Sequence, residues 1–207
     1  MKRSKFKAII GIDEAGRGPL AGPVAVGVVI VKNDFAWTKE LAGVNDSKKL
    51  SAAKRDDIFL KAKQLKKKKL LDYQVVLISA KVIDRVGIVP AITKALHQGL
   101  KKVMQRSELK EDQVLVKLDG GLKAPPEYLH QETIIKGDAK EKVIGLASIM
   151  AKVTRDQYME KLSQKKEFAI YDFAKHKGYG TKIHRESIAK NGLSSEHRRS
   201  FCRNLPR

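Results

Sequence analysis

A single cysteine, Cys202, stands in a chain of 207 residues. No disulfide framework can form within one chain on that content, and no clustered cysteine–histidine zinc site is available. The five histidines (His97, His130, His176, His184 and His197) are dispersed, and no two stand at the helical spacing of a metal site. Acidic residues are the scarcer charge, 23 against 43 lysines and arginines. Long hydrophobic runs are missing too. The longest, Ala21 to Val31, is about half of what a bilayer span needs. The basic stretch Met1 to Lys7 leads into an apolar segment broken by Asp13, Glu14 and Arg17, which is not the pattern of a signal peptide. These absences point to a cytoplasmic protein with no membrane partner. Internal repeats and linker-like stretches are absent as well, so one domain over 1–207 is expected.

What is present suits a soluble globular fold, with 42% apolar and 32% charged residues. The formal net charge of +20 favours a polyanionic partner, of which nucleic acid is the commonest. Strands are expected at Ala8 to Ile12, Val24 to Val31, Tyr73 to Ser79, Val114 to Asp119 and Thr133 to Ile135. Helices are expected from Ala52 to about Lys67 with Ser51 as N-cap, from Pro90 to about Gln105, from Asp138 to Leu162, and from Lys182 to Asn191. The first two strands read as a hairpin, with Gly18-Pro19 and Gly22-Pro23 in its connection. Strands alternating with helices indicate an α/β layered domain.

Four acids stand at the edges of regular elements: Asp13 and Glu14 after the first strand, Asp119 before Gly120-Gly121, and Asp138 after Gly137. Strand ends and helix starts are where a layered fold collects its site residues. Oxygen ligands of this kind suit magnesium, and paired divalent ions can drive attack on a phosphodiester. Adjacent strand residues face opposite ways, so Asp13 and Glu14 share a site only if the strand ends or bulges there. Taken alone, Asp119 also reads as a turn former, and Asp138 with Glu141 as a capping box. Gly16-Arg17-Gly18 offers main-chain amides and a guanidinium to a sugar-phosphate. Lys48, Lys49, Lys152, Arg155, Arg198 and Arg199 are candidate phosphate contacts. Tyr179, between Gly178 and Gly180, can lie against a sugar or base. A non-catalytic nucleic-acid-binding module would account for the charge but leaves the four acids without a role.

The run Gly11-Ile12-Asp13-Glu14-Ala15-Gly16-Arg17-Gly18-Pro19-Leu20-Ala21-Gly22-Pro23, followed by Asn45-Asp46-Ser47-Lys48-Lys49-Leu50, resembles bacterial type 2 ribonuclease H. Lys136-Gly137-Asp138-Ala139-Lys140, the helix from Ala147 to Asp156, Phe173 to Thr181 and His197-Arg198-Arg199-Ser200-Phe201 continue the likeness. The resemblance implies a ribonuclease H-like fold, a central mixed sheet flanked by helices, with a helical C-terminal part over about residues 165–207. It implies a monomeric endonuclease cutting the RNA strand of RNA–DNA hybrids and single ribonucleotides embedded in duplex DNA, leaving 5′-phosphate and 3′-hydroxyl ends. It implies Mg2+ or Mn2+, two ions per site, on Asp13, Glu14, Asp119 and Asp138. It also implies that Gly16, Arg17, Gly18 and Tyr179 sense the ribose 2′-hydroxyl, with Lys48 and Lys49 binding substrate. The chain departs from the usual pattern at Gly121, where asparagine is common, at Gly145, where alanine is usual, and in the basic run Lys61 to Lys69.

Overall fold

The computed structural model describes residues 5–37, 41, 43, 44 and 49–205. Five strands form one mixed sheet in the order β3-β2-β1-β4-β5: β1 Ala8–Ala15, β2 Val24–Lys32, β3 Leu71–Ile78, β4 Val114–Asp119 and β5 Gln131–Ile134. The valine-rich hairpin expected from the sequence forms as β1 against β2, antiparallel, and β3 extends it. β4 and β5 add to the other side of β1 in parallel.

Helix α1 spans Ala52–Lys67, and Ser51 caps it by accepting from the Lys54 N–H at 3.2 Å. Helix α3, Ile88–Ser107, lays Ile92, Ala95, Leu96, Leu100 and Val103 on one face of the sheet, the stripe its periodicity predicts. A short helix α2, Ala80–Val86, precedes it and has no counterpart in the sequence reading. α1 and α5 (Lys142–Ser163) cover the opposite face. A third apolar cluster, built on Ala21, Met159, Phe168, Tyr171 and Phe173, seats the C-terminal part, where α6 is Phe173–His176 and α7 is Lys182–Asn191.

The single helix expected from Asp138 to Leu162 is two. A turn of helix, α4 Gly137–Lys140, is separated from α5 by Glu141, whose φ of −121° and ψ of 114° are extended. Glu141 does not close a capping box. Its carboxylate instead meets Lys117 Nζ at 2.9 Å. α5 packs so closely on the sheet that only glycine fits beneath it. A Cβ at Gly11 would lie 2.3 Å from the Val143 carbonyl carbon, and one at Gly27 would lie 2.2 Å from the Ala147 oxygen. On its other side α5 is as close to the segment at Val44, whose oxygen would lie 2.3 Å from a Cβ at Gly145. No helix of the described residues is long and apolar enough to cross a membrane.

Candidate active site

β1 pairs with β4 only as far as Ile12 opposite Leu118, while its ladder with β2 runs on to Ala15. Asp13 and Asp119 are the next residue on each strand, so the two acids emerge side by side where the parallel strands part. The strand does not end at the acids, as the sequence reading required. Release of one edge is enough, and Asp13, Glu14 and Asp119 all line one cleft of about 510 Å³.

Asp13 is only 4% exposed. Its Oδ1 accepts the Glu14 N–H at 2.7 Å, and the Ser148 hydroxyl, from α5, bonds to the same carboxyl group. Burial, reinforced by the charges of Asp119 and Glu14, pushes the Asp13 carboxyl from 3.8 up to about 8. Burial also raises Glu14, against the pull of Arg17, whose Nη1 lies 3.5 Å from Glu14 Oε1. Asp119 Oδ1 accepts the Gly137 N–H at 2.6 Å, which ties the end of β4 to the start of α4. Asp138, the next residue, is 2% exposed and is not part of the cleft wall. Among the described residues no three acid, histidine or cysteine side chains converge closely enough to enclose an ion on their own. The wall is therefore an open set of hard oxygen donors, with Arg17, Arg55 and Lys152 around it, of a kind that leaves part of an ion's coordination to water and phosphate.

Gly16 and Arg17 form the adjoining lip. Gly16 has φ +84°, and a Cβ there would fall 2.0 Å from Arg155 Nε. Arg155 and Arg198, expected from the sequence to meet phosphates, are fully buried at 0% exposure. They hold the lip from behind. Arg155 donates to the carbonyls of Pro23 at 2.8 Å and Ala21 at 3.1 Å. Arg198 donates to Gly22 at 3.0 Å, Arg17 at 2.9 Å and Gly16 at 2.7 Å. Replacing Arg198 with methionine keeps the stem and leaves those three carbonyls unanswered. Arg198→Met is expected to lower stability by about 3 kcal/mol or more, read as a fall in calorimetric Tm. Tyr179 also lines the cleft, 43% exposed, with the Arg155 guanidinium 5.8 Å from its ring centre. Lys152 lines the cleft and pairs with Asp156 at 2.7 Å. Gly18 lines it with open space around its Cα, and Lys49 is exposed outside the lining. Arg199 is exposed, and Lys48 lies outside the described residues.

The family model described as Ribonuclease HII matches residues 10–204. The chain belongs to the ribonuclease HII family. A ribonuclease HII of Endomicrobium trichonymphae is 43% identical over 95% of this chain and 86% of its own length. One of Clostridioides difficile strain 630 is 42% identical over 94% of this chain and 70% of its own. The crystal structure of the ribonuclease H2 from Pyrococcus horikoshii OT3 superposes with a TM-score of 0.68, at 26% identity and 96% coverage of each chain. The protein is accordingly a metal-dependent endoribonuclease that cuts the RNA strand of RNA–DNA hybrids.

Two cleft residues have no counterpart in the sequence reading. Arg55, in the first turn of α1, lines the cleft and donates through Nη1 to the Leu50 carbonyl at 2.5 Å. Ser148 sits one helical turn before Lys152 on α5, and that spacing is the signal that links them. The asparagine usual in ribonuclease HII at Gly121 would fit, since a Cβ there meets nothing within 4 Å.

Proposed function

We propose that this ribonuclease HII incises duplex DNA at single embedded ribonucleotides as well as hybrids, leaving 5′-phosphate and 3′-hydroxyl ends. Asp13, Glu14 and Asp119 on the cleft wall, with Asp138 buried one residue beyond the Gly137 N–H that Asp119 accepts, would hold two Mg2+ or Mn2+ ions. The observation that carries this reading is the Asp13 carboxyl, buried beside Asp119 and Glu14, with no ion pair to the three among the described residues beyond that of Arg17 with Glu14. Bound divalent ions would neutralise that crowding, polarise the attacking water and offset charge on the phosphate.

The remaining work falls to the chain's own groups. Ser148 and the Glu14 N–H hold Asp13 in one orientation. Lys152 and Arg55, on the cleft wall, meet the flanking phosphates. The Gly16-Arg17-Gly18 lip and Tyr179 adjoin on the cleft wall and meet the ribose at the RNA–DNA junction. A site that bonds the 2′-hydroxyl rejects deoxyribose strongly, because its polar groups would otherwise stay unpaired. All of these residues come from one chain, so a monomer suffices, working in the cytoplasm. Residues 1–207 act as one catalytic domain whose part after about residue 165 contributes Tyr179.

The test is a labelled duplex carrying one ribonucleotide, incubated with magnesium, with chelator, and beside an all-DNA duplex. The expected result is a nick at the ribonucleotide that chelator abolishes, with the all-DNA duplex intact. Binding without nicking would refute the catalytic reading, and nicking of the DNA control would refute ribose selection.

A further inference from the structure

Three histidines of the C-terminal part, His176, His184 and His197, meet beside the Tyr179 backbone. The rings of His176 and His184 stack with centres 4.2 Å apart, and His184 Nε2 lies 3.0 Å from His197 Nε2. Their hydrogen-bond partners assign every proton. The Gly178 N–H donates to His176 Nδ1 at 3.2 Å, so His176 carries its proton on Nε2 and donates it to the Tyr171 carbonyl at 2.6 Å. His184 Nδ1–H donates to the Tyr179 carbonyl at 2.9 Å, leaving its Nε2 bare. The Ser194 N–H donates to His197 Nδ1 at 2.9 Å, so His197 Nε2–H points at that bare nitrogen. The relay is complete only with all three rings neutral, and burial favours that form by pulling each below the ordinary histidine value. Two stacked imidazoles thus grip the backbone around Tyr179, one accepting from the Gly178 N–H and the other donating to the Tyr179 carbonyl.

The relay joins the other half of the cleft at one dipeptide. His197 pairs with Ala21 in an isolated bridge, and its neighbour Arg198 donates to Gly16 and Arg17. The Leu20 N–H donates to the Gly178 carbonyl at 2.8 Å, linking the two loops directly. A Cβ at Gly178 would lie 2.4 Å from the Ala21 oxygen, so the loops touch with no room between them.

We propose that His184, set by His197, is a positioning residue for Tyr179, and that the His197-Arg198 dipeptide holds the tyrosine in register with the Gly16-Arg17 lip to read the RNA–DNA junction. This rests on the reading of Tyr179 as a junction contact. The experiment compares kcat/KM on a duplex with one embedded ribonucleotide and on a continuous RNA–DNA hybrid, for the full chain with magnesium. The ratio of the two does not change with the fraction of folded enzyme, so a merely structural defect leaves it where it was. Tyr179→Ala and His184→Ala are each expected to lower the ratio about tenfold, the scale of one misplaced contact. His184→Asn, whose amide N–H stands near the place of Nδ1–H, is expected to recover most of it, and the double variant Tyr179→Ala/His184→Ala to be no worse than Tyr179→Ala. An unchanged ratio in His184→Ala beside a lowered one in Tyr179→Ala overturns the positioning role and leaves the junction reading standing. No recovery in His184→Asn also overturns it. An unchanged ratio in Tyr179→Ala overturns the junction reading itself. Should His184→Ala fail to fold, His197→Phe, which keeps a ring and removes the donor, must lower the ratio in the same way, and an unchanged ratio there overturns the proposal.

Discussion

Asp13→Asn is expected to lose cleavage by at least about a thousandfold and yet to melt at a higher temperature than the parent in chelator. The loss follows from removing one proposed ion ligand, since a bound ion supplies several kcal/mol of transition-state stabilisation, with about 1.4 kcal/mol for each factor of ten. The gain follows from the same carboxyl. Burial first, then Asp119 and Glu14, pushes it from 3.8 up to about 8 in the folded chain. The unfolded chain therefore ionises first as pH rises. The contribution of Asp13 to stability is intact below about pH 4, declines as pH climbs towards 8, and is at its worst above that. At neutral pH the penalty is on the order of a few kcal/mol, and the amide escapes it while still accepting from the Glu14 N–H. Thermal melts with chelator from pH 4 to 9 should show the parent losing ground relative to Asp13→Asn. Added magnesium should raise the parent's Tm and move the variant's much less. A variant that cleaves normally, or that melts below the parent in chelator at pH 8, would remove Asp13 from the role given it here.

Gly27→Ala is expected to destabilise the fold by about 3 kcal/mol or more and to cut activity with it, although the change adds one methyl group. Gly27 is the β2 partner of Asp13, and its Cα faces α5. The new Cβ would sit 2.2 Å from the Ala147 oxygen and 3.1 Å from its carbonyl carbon. Those are main-chain atoms, so no rotamer change relieves the clash and the helix itself must move. Ser148 and Lys152 ride on that helix and would be carried away from the cleft. Gly18→Ala is the control, because a Cβ there meets nothing within 4 Å and its stability should be unchanged. Urea midpoints of the two variants give the comparison, and equal midpoints would show that α5 is free to give way.

Most of the strands and long helices were legible because burial repeats along them. The α3 stripe and the β1–β2 hairpin announce themselves through spacing and valine content. The break at Glu141 was not legible. Glu141 pairs there with Lys117, 24 positions earlier and on another element, and no local pattern reports such a pair. The acids could be picked out because each stands at the edge of a regular element. Arg155 and Arg198 were misread for the opposite reason. A basic residue near a glycine-rich loop looks like a phosphate contact, whereas in the fold both turn inward to main-chain carbonyls.

By itself the sequence determined the kind of chemistry: a surplus of positive charge for a polyanion, hard oxygen donors at strand and helix ends, and glycines where backbone must approach closely. These are properties of residue type and spacing, and they survive without coordinates. Only the tertiary structure decided which groups face the cleft and which stand behind it. Asp13 meets Asp119 because β1 parts from β4 one residue earlier, and His184 meets His197 because two loops fold onto Ala21. The first of these meetings depends on strand register across more than a hundred residues, where one residue of slip would turn a side chain to the other face.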